Sequence, residues 1–288
     1  MAIWNLGSIN ADFVYSVPHV PRPGETMAST GRKVFLGGKG ANMSVAAARA
    51  AAEVQHIGAV GADGRWAVER LMEYGVNTSH IVELDVETAQ AIIAVDKAGE
   101  NSIILHPGAN AAIPLNAVEQ ALTQAKTGDI FVCQNETNCQ LEASKLAKSM
   151  GLKVAYAAAP FAAEAVQAVL PYLDLLILNE VEADQLTQAT GQKVEDLLVE
   201  DVIVTLGGDG AVWHGSSGQV SVPAHKVTAV DTTGAGDTFT GYVLAGLDRG
   251  QPMEQAMQTA SKAAAIMVTR HGTADVIPDL KDVQDFSS

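Results

Sequence analysis

Residues 230–239 read Val230-Asp231-Thr232-Thr233-Gly234-Ala235-Gly236-Asp237-Thr238-Phe239. We expect residues 227–230 to form a short apolar strand and residues 239–247 to belong to a helix that follows the glycines. A strand, a glycine turn and a helix start gather free backbone N–H groups in one place, and the helix dipole makes this a site for an anion. Asp237 falls in the first helical turn, where a carboxylate beside a phosphoryl group accepts a proton from an attacking hydroxyl. A plain turn with an ordinary acidic residue at a helix start explains the same pattern.

Composition narrows the possible functions. The 288 residues are 48% hydrophobic, which is enough to bury one large core with a small appendage. The net charge of −15 disfavours nucleic acid and anionic membrane as partners, so a phosphate site must be built locally. Cys133 and Cys139 match no zinc or redox spacing, and we expect reduced thiols. With no signal-peptide pattern and no run of 18 apolar residues, we expect a cytoplasmic protein.

The spacing of short apolar runs along the chain predicts an α/β fold. We expect strands at residues 3–6, 54–60, 129–133, 153–158, 173–178 and 202–206, with helical segments between the later ones. Short apolar strands separated by helices are typical of a mainly parallel central sheet covered by helices on both faces. Ligands of such sheets bind outside the carboxyl ends of the strands, so the polar groups that follow these strands are expected to converge on one site.

Two segments do not fit the strand–helix alternation. Residues 12–36 contain strands broken by prolines, and residues 90–96 and 101–105 flank a Lys-Ala-Gly-Glu turn that is typical of a hairpin. We therefore predict a small β lid formed by residues 12–36 and 90–106. The main α/β domain would comprise residues 1–11, 37–89 and 107–288. A lid of this kind closes over a site and excludes water.

Asn10 and Asp12 follow the first predicted strand and stand two residues apart. In an extended segment this spacing places both side chains on one face, where they could hold adjacent hydroxyls of a sugar. An Asx turn accounts for the same two residues. The local sequence leaves both interpretations open.

A second glycine-rich motif reads Gly37-Gly38-Lys39-Gly40-Ala41-Asn42 and precedes an alanine-rich helix expected at residues 43–52. Glycines allow a ligand to approach the backbone, and Lys39 and Asn42 would face a ligand above the helix start. The motif is not a Walker P-loop, and the chain has no dinucleotide fingerprint. A glycine turn with a solvated lysine is the alternative.

Two further strand ends carry polar residues. Asn179 and Glu182 stand three apart at a predicted helix start, where they could steer Mg²⁺ through water or form an N-cap with its capping box. Residues 205–211 predict a strand, a tight turn and a new strand. That turn could contact a nucleotide or serve only as a hairpin.

Three of these motifs together resemble the signatures of the ribokinase-like (PfkB) sugar kinases. They are residues 37–42, the pair Asn179 and Glu182, and residues 231–237, and the resemblance covers essentially the whole chain in the right order. The glycine-rich Lys39 stretch, with residues 7–12 and 24–26, is most similar to the ribokinase branch. The inserted strands resemble the lid of that branch, and this resemblance implies a homodimer formed through the lid.

The resemblance implies an ATP- and Mg²⁺-dependent kinase that phosphorylates the primary hydroxyl of a pentose, D-ribose first of all. Asp237 would be the general base, with the amides of Gly234, Ala235 and Gly236 holding the transferring phosphoryl group. The implied sugar ligands are Asn10, Asp12, Gly38, Lys39, Asn42, Glu136 and Asp237. The nucleotide would contact Asn179, Thr205, Gly207 and Gly210, and Asn179 and Glu182 would organise Mg²⁺ through water. Backbone groups of Asp231, Thr233, Arg270 and Gly272 would hold K⁺.

The chain departs from the family pattern in three places. Residues 157–160 read Ala-Ala-Ala-Pro where Asn-Pro-Ala-Pro is frequent, Val276 replaces an expected serine at the K⁺ site, and residues 191–201 are short. These departures affect substrate and cation more than reaction class. The alternatives are a kinase of the same fold that acts on another sugar or on a nucleoside, and a sugar-binding regulator without catalysis. The intact Asp237 and its glycine turn argue against the regulator.

Overall fold

The computed structural model describes residues 1–216 and 218–286, which form two β-sheets and a set of helices. Residues 217, 287 and 288 of the predicted main domain lie outside the described residues. The strands are β1 (Ala2–Leu6), β2 (Asn10–Ser16), β3 (Gly31–Gly37), β4 (Glu53–Gly61), β5 (Asn77–Leu84), β6 (Ala89–Val95), β7 (Asn101–His106), β8 (Ile130–Gln134), β9 (Lys153–Ala157), β10 (Leu175–Asn179), β11 (Asp201–Thr205), β12 (Ala211–Gly215) and β13 (Gly218–Val222). The α-helices are α1 (Lys39–Arg49), α2 (Arg65–Glu73), α3 (Leu115–Leu122), α4 (Gln140–Ser149), α5 (Ala163–Val169), α6 (Glu180–Thr190), α7 (Ala235–Asp248), α8 (Met253–Met267) and α9 (Leu280–Asp285).

The larger sheet has the strand order β13-β12-β11-β10-β9-β8-β1-β4-β5. β1 runs parallel to both of its neighbours, β4 and β8, and only β12 and β13 at one edge are antiparallel. All six strands predicted from apolar runs form, each within two residues of its expected bounds. The predicted parallel α/β sheet is confirmed.

Helices cover both faces of this sheet. On β8, Ile130 and Val132 belong to the core shared with α1, α2, α7, α8 and α9, whereas Phe131 and Cys133 belong to the core shared with α3 to α6. Alternate residues of a strand point to opposite faces, so a strand between two helical layers must be apolar throughout. Each fully buried Ile or Phe side chain contributes about 1.5–3 kcal/mol.

The smaller sheet has the order β3-β2-β6-β7 and stands apart from the larger sheet, as expected for the lid. β2 pairs antiparallel with β3 and parallel with β6, while β6 and β7 form the predicted hairpin. Asp96 closes that hairpin, because its Oδ1 accepts from the amides of Ala98 at 2.8 Å and Glu100 at 3.0 Å. β2 begins at Asn10, two residues before the predicted start of the lid.

Two local predictions are wrong. Residues 227–230 are not a strand: the amides of Val230 and Asp231 donate to the carbonyl of Val268 at 2.7 and 3.1 Å, so the segment lies against the end of α8 and not in the sheet. Helix α1 begins at Lys39, four residues before the predicted start, because Gly38 turns the chain directly into the helix with φ of 94°. In the described part of the chain, no helix has the length and apolar character that crossing a bilayer requires.

Candidate active site

The loop after β1 crosses the start of α1 at very short range. A Cβ atom on Gly40 would lie 2.2 Å from the Cα of Gly7, and one on Gly37 would lie 2.0 Å from a carboxylate oxygen of Asp12. At Gly40 the contact is with backbone, so no larger side chain fits there, whereas a larger side chain at Gly37 would displace the carboxylate of Asp12. The glycines of the motif at residues 37–42 therefore bring Asp12, at the start of the lid sheet, against the N-terminus of α1.

Five predicted site residues from four distant segments meet at this crossing. Asn42 Nδ2 donates to Asp237 Oδ2 at 2.9 Å, and the backbone N–H of Lys39 donates to Glu136 Oε2 at 3.0 Å. The same Glu136 oxygen accepts from the hydroxyl of Ser8. Asp12 lies within electrostatic range of both Glu136 and Asp237. The structure thus brings β2, α1, the loop after β8 and α7 together around one pocket.

Asn10 faces the same region and is held by a residue that the sequence did not indicate. Asn110 donates from Nδ2 to Asn10 Oδ1 at 2.8 Å, and its own Oδ1 accepts from the amide of Ile9 at 3.0 Å. Asn110 lies in a short 3₁₀ turn after β7. Only the amino acid type, an amide side chain near two prolines, could have marked it as a candidate.

Two acceptor atoms in the pocket are buried without a partner among the described residues. They are Oδ1 of Asp12 and Oδ1 of Asn42. A buried acceptor that makes no hydrogen bond costs about 1–3 kcal/mol. Hydroxyl groups of a ligand would satisfy both atoms, which is the match expected of a polyhydroxy compound.

The electrostatics of the pocket are dominated by carboxylates around one cation. Burial raises the pKa of Asp12 to about 7, and the nearby charges of Glu136 and Asp237 add to this rise. Burial also raises the pKa of Asp237, while Lys39 and the hydrogen bond from Asn42 oppose that effect. The charge of Asp237 is in turn the main cause of the raised pKa of Lys39. Lys39 therefore stays protonated and stabilises the ionised form of Asp237.

Helix α7 presents Asp237 to the pocket from its first turn. Gly234 caps the helix in the left-handed conformation, with φ of 80°, and its carbonyl accepts from Thr238 at 2.9 Å. The amide of Ala235 donates to Thr232 at 3.2 Å and is already engaged in the turn. The predicted position of Asp237 in the first helical turn is confirmed.

A cavity of about 650 Å³ lies on the other side of the same turn. Ala235 and Gly236 line it, so the residues just before Asp237 border this cavity. Thr205, Gly207 and Gly210 also line it, as predicted for a nucleotide site. The remaining lining residues, mostly apolar, are Gly208, Ala224, His225, Lys226, Val227, Ala229, Thr232, Phe239, Ser261, Ala264, Ala265 and Val268. Val227 and Ala229 were not predicted to line a cavity because residues 227–230 were expected to form a strand.

Asn179 and Glu182 form the capping box that was one of the two interpretations of the sequence, and their role toward Mg²⁺ stays a prediction. They form a complete capping box at the start of α6: the amide of Glu182 donates to Asn179 Oδ1 at 2.9 Å, and the amide of Asn179 donates to Glu182 Oε2 at 2.8 Å. Burial raises the pKa of Glu182, and the charge of Asp237 adds to this rise. The backbone hydrogen bond from Asn179 and the charge of Lys39 oppose it. The second carboxylate oxygen of Glu182 is therefore within electrostatic range of the catalytic candidates.

The Mg²⁺ predicted at Asn179 and Glu182 was expected to bind through water and not through a cage of protein ligands. In residues 1–216 and 218–286, no group of three or more His, Cys, Asp or Glu side chains is arranged to hold a metal ion. Mg²⁺ keeps several waters and often binds through one or two carboxylates and the phosphates of its nucleotide. The water-mediated Mg²⁺ role of Asn179 and Glu182 needs no such cluster, and it stays a prediction.

The predicted K⁺ residues lie on two loops joined by one side chain. Asp231 Oδ1 accepts from the amide of Thr233 at 2.9 Å, and Asp231 Oδ2 accepts from the amide of Gly272 at 3.4 Å. The side chain of Arg270 turns elsewhere, to the carbonyl of Val276 at 3.3 Å and to Asp282 at 3.6 Å. The structure thus brings Asp231, Thr233 and Gly272 together, with Arg270 adjacent in sequence.

Comparison with known proteins identifies the same family along almost the whole chain. The profile of the pfkB family of carbohydrate kinases matches residues 3–280. The chain is 35% identical to a ribokinase of Haemophilus influenzae, an alignment that covers 98% of this chain and 96% of the relative. It is 30% identical to a deoxyribokinase of Salmonella typhi, over 100% of this chain and 99% of the relative.

Comparison with solved structures finds the same fold in ribokinases. The structure of an Arabidopsis thaliana ribokinase complexed with ribose and ATP superposes with a TM-score of 0.86 at 28% identity, covering 100% of both chains. The fold, the family profile and the curated relatives all indicate one enzyme class. The chain belongs to the pfkB family of carbohydrate kinases, and it is a phosphotransferase that acts on an alcohol group.

Proposed function

We propose that this enzyme transfers the γ-phosphoryl group of ATP to the primary hydroxyl of D-ribose, giving ribose 5-phosphate. The observation that carries the proposal is the position of Asp237. Its carboxylate is buried and held by Asn42 at 2.9 Å, while the preceding Gly236 lines a cavity of nucleotide size. A carboxylate between an acceptor pocket and a nucleotide cavity is placed to take the proton of an attacking hydroxyl.

Asp237 acts as the general base in this proposal. Burial raises its pKa and makes it a stronger base, whereas the charge of Lys39 and the hydrogen bond from Asn42 favour its ionised form. General-base assistance is worth about 10²- to 10⁴-fold in rate, and positioning together with charge neutralisation supplies most of the rest. The amides of Gly234 and Gly236 at the start of α7 would face the transferring phosphoryl group, and the amide of Ala235 would join them only by giving up its bond to the carbonyl of Thr232.

The sugar hydroxyls would be held around the crossing of the β1–β2 loop and α1. The unpartnered Oδ1 atoms of Asp12 and Asn42 are suited to accept hydroxyl protons, and Lys39 and Glu136 border the same pocket. Asn10 and the backbone of Gly38 complete the proposed sugar site. These polar groups come from several directions, so they could bind several hydroxyls of one small polyol that is enclosed by the lid.

Two cations belong to the proposal. Mg²⁺, when bound with ATP, neutralises phosphate charge, and Asn179 and Glu182 would orient it through water. The backbone carbonyls of Asp231 and Thr233, with the loop at Arg270 and Gly272, would hold K⁺ next to the anion site. The observed bonds from Thr233 and Gly272 to Asp231 support this arrangement. The nucleotide would lie against Thr205, Gly207 and Gly210.

A nucleoside kinase is the second candidate, and one feature of the lid favours it. Val14 lies on the same face of β2 as Asp12, and it pairs across the sheet with Ile93, which pairs with Ile103. This row of aliphatic side chains on the face of Asp12 could cover the base of a nucleoside. The relatives named ribokinase and deoxyribokinase support a free sugar instead.

We also propose a homodimer formed through the lid and a cytoplasmic location. Phe13 pairs with Val34 on one side and Ile92 on the other, and Ile92 pairs with Ile104, so one row of apolar side chains crosses the lid. Val34, Ile92 and Ile104 are all exposed in the single chain. A second copy would cover this row. The two free cysteines are compatible with a reducing compartment.

The decisive experiment measures ADP release with ATP and Mg²⁺ against D-ribose, 2-deoxy-D-ribose, fructose, adenosine and inosine, each with and without K⁺. We expect the highest kcat/KM with D-ribose and a gain with K⁺. Turnover that is confined to nucleosides would replace D-ribose by the second candidate. An absence of turnover with every acceptor would contradict the proposed substrate.

A further inference from the structure

A chain of buried polar side chains lies directly beneath the proposed sugar site. It contains Asn5 of β1, Ser44 of α1, His56 of β4 and Gln134 of β8, each of which is buried. None of the four was a candidate from the sequence, and none contacts the pocket cavity. Buried polar groups are retained where they are hydrogen-bonded, and here the bonds join a helix to three parallel strands.

His56 forms one end of this chain. Its Nε2 lies 3.1 Å from the carbonyl of Gly7, and its Nδ1 lies 2.8 Å from the hydroxyl of Ser44. A carbonyl only accepts, so Nε2 carries the proton. Burial lowers the pKa of His56 to about 4, which leaves the imidazole neutral at physiological pH. Nδ1 therefore accepts, and the Ser44 hydroxyl donates to it.

Asn5 continues the chain in the same direction. Its Nδ2 lies 2.8 Å from the carbonyl of Gly40 and 2.8 Å from the hydroxyl oxygen of Ser44, so this amide nitrogen donates to both. Its Oδ1 accepts from Nε2 of Gln134 at 2.7 Å. Every donor thus points the same way, from Gln134 through Asn5, Ser44 and His56 to the backbone.

The two backbone carbonyls that receive these bonds belong to the tightest crossing in the site. Gly7 precedes Ser8, which donates to Glu136, and Gly40 follows Lys39, which faces Asp237. A further hydrogen bond joins the two segments at the crossing, because the amide of Gly40 donates to Ser8 Oγ at 3.1 Å. A shift of a few tenths of an ångström at the crossing would move Lys39 and Ser8 together.

We propose that Ser44 and His56 are positioning residues of the kinase, which hold the crossing of Gly7 and Gly40 so that Ser8 and Lys39 are fixed against the acceptor. The inference rests on the proposed sugar site. It makes a specific prediction: a substitution that removes one hydrogen bond from this row of buried side chains weakens acceptor binding and leaves nucleotide binding unchanged. The described lining of the 650 Å³ cavity includes no residue of β1, β4, β8 or α1, so nucleotide affinity is an internal reference.

The first test is Ser44→Ala, with Ser144→Ala as its matched control. Ser144 is equally buried and also helical, but it lies in α4 on the opposite face of the sheet, where its hydroxyl is 3.8 Å from Sγ of Cys133. In Ser44→Ala we expect KM for the acceptor to rise roughly three- to tenfold, the size of one lost hydrogen bond, with KM for ATP unchanged. Ser144→Ala should leave both constants unchanged.

A second variant tests whether Ser44 and His56 act as one unit. His56→Phe should raise KM for the acceptor by a similar factor. The double variant Ser44→Ala/His56→Phe should show no more than the larger single effect, because both substitutions remove the same link. Independent effects that multiply would contradict the proposed chain.

Hydrogen exchange measures the crossing without any substrate. Peptides covering residues 7–10 and 39–42 should exchange roughly three- to tenfold faster in Ser44→Ala than in the wild type and in Ser144→Ala. Unchanged exchange there, or an unchanged KM for the acceptor, would overturn the inference. If the wild type turns over no sugar or nucleoside, the proposed function fails, and the exchange comparison alone then decides whether Ser44 holds the crossing.

Discussion

Asn42 Nδ2 donates a hydrogen bond to Oδ2 of Asp237 across 2.9 Å and thereby joins the first turn of α1 to the first turn of α7. Both side chains are buried. A neutral donor orients the carboxylate and favours its ionised form, while the charge of Lys39 acts in the same direction. Asn42 also keeps Oδ1 without a partner among the described residues, so the same amide can accept a hydroxyl of the acceptor.

Replacing Asp237 by Asn removes the proposed base and leaves the pocket shape nearly unchanged. We expect kcat to fall about 10²- to 10⁴-fold, with D-ribose binding retained. Steady-state kinetics and titration calorimetry of D-ribose measure the two effects. Asp248→Asn is the matched control, since Asp248 lies at the opposite end of the same helix. Activity in Asp237→Asn within tenfold of the wild type would exclude the carboxylate as general base.

Asn42→Asp places a second carboxyl group beside Asp237. The donor is lost and a like charge is added, and both changes raise the pKa of Asp237. The acidic limb of the kcat/KM profile should therefore move to higher pH by at least about one unit. A profile recorded from pH 5 to pH 9 measures this shift, with Asn42→Leu separating loss of the donor from addition of charge. An acidic limb that stays in place would show that Asp237 does not govern the profile.

The sequence predicted the sheet because buried parallel strands are continuous apolar runs. Residues 130–133 and 175–178 are such runs, and their shortness favours strands over helices. Asp237 was placed in the first turn of its helix for a similar reason, since Gly234 and Gly236 mark where that helix begins. Periodicity and glycine positions are local signals, and they fixed these elements.

Other features depend on contacts between residues distant in sequence. Val227 and Val230 are apolar like a strand, yet the carbonyl of Val268 takes the hydrogen bonds that a neighbouring strand would have accepted. The link from His56 to Ser44 and the contact of Asn110 with Asn10 leave no periodic pattern. The local sequence predicts on which face of a helix or strand a side chain lies. Its hydrogen-bond partner depends on which distant segment the fold brings next to it.

The raised pKa of Asp12 makes a prediction about stability. Between the ordinary value of 3.8 and about 7, the folded protein holds a proton that the unfolded chain has released, so this residue's contribution to stability falls as pH rises through that window. Asp12→Asn removes the charge, and we expect Tm at pH 8 to rise by about 2 °C or more, with little change at pH 4. Thermal unfolding at the two pH values measures it.

The same substitution should weaken acceptor binding, because Asp12 Oδ1 is a buried acceptor without a partner among the described residues. The combination of higher Tm and weaker binding is the pattern of a functional group retained at a cost in stability. Asp96→Asn, in the hairpin turn of the lid, is the control for a half-buried carboxylate away from Asp237. A lower Tm for Asp12→Asn at pH 8 would contradict the assigned direction of the pKa shift.

Gly40→Ala tests the close crossing directly. The new methyl carbon would lie 2.2 Å from Gly7 Cα, so backbone must move, and we expect the free energy of unfolding to fall by about 1–3 kcal/mol or more. Acceptor affinity should fall with it because Lys39 is the adjacent residue. Urea unfolding measures the first effect and calorimetry the second. Gly31→Ala is the control, since its nearest contact would be 3.8 Å away; equal effects of the two variants would contradict the argument.

The lid makes the last prediction, on assembly. Ile104 is 66% exposed and pairs with Ile92, which is 43% exposed, within the apolar row that crosses the lid sheet. Ile104→Asp would bury a charge in the proposed dimer interface, where an unpaired charge is strongly unfavourable. We expect light scattering to show a dimer for the wild type and a monomer for this variant.

Val181→Asp is the matched control for assembly, because Val181 is 60% exposed and lies on α6, outside the lid. It should remain a dimer. If each lid is supported by its partner, Ile104→Asp should also raise KM for the acceptor, because a poorly supported lid excludes water less well. A wild type that is monomeric at micromolar concentration, or an Ile104→Asp variant that stays dimeric, would contradict a dimer interface at this row of the lid.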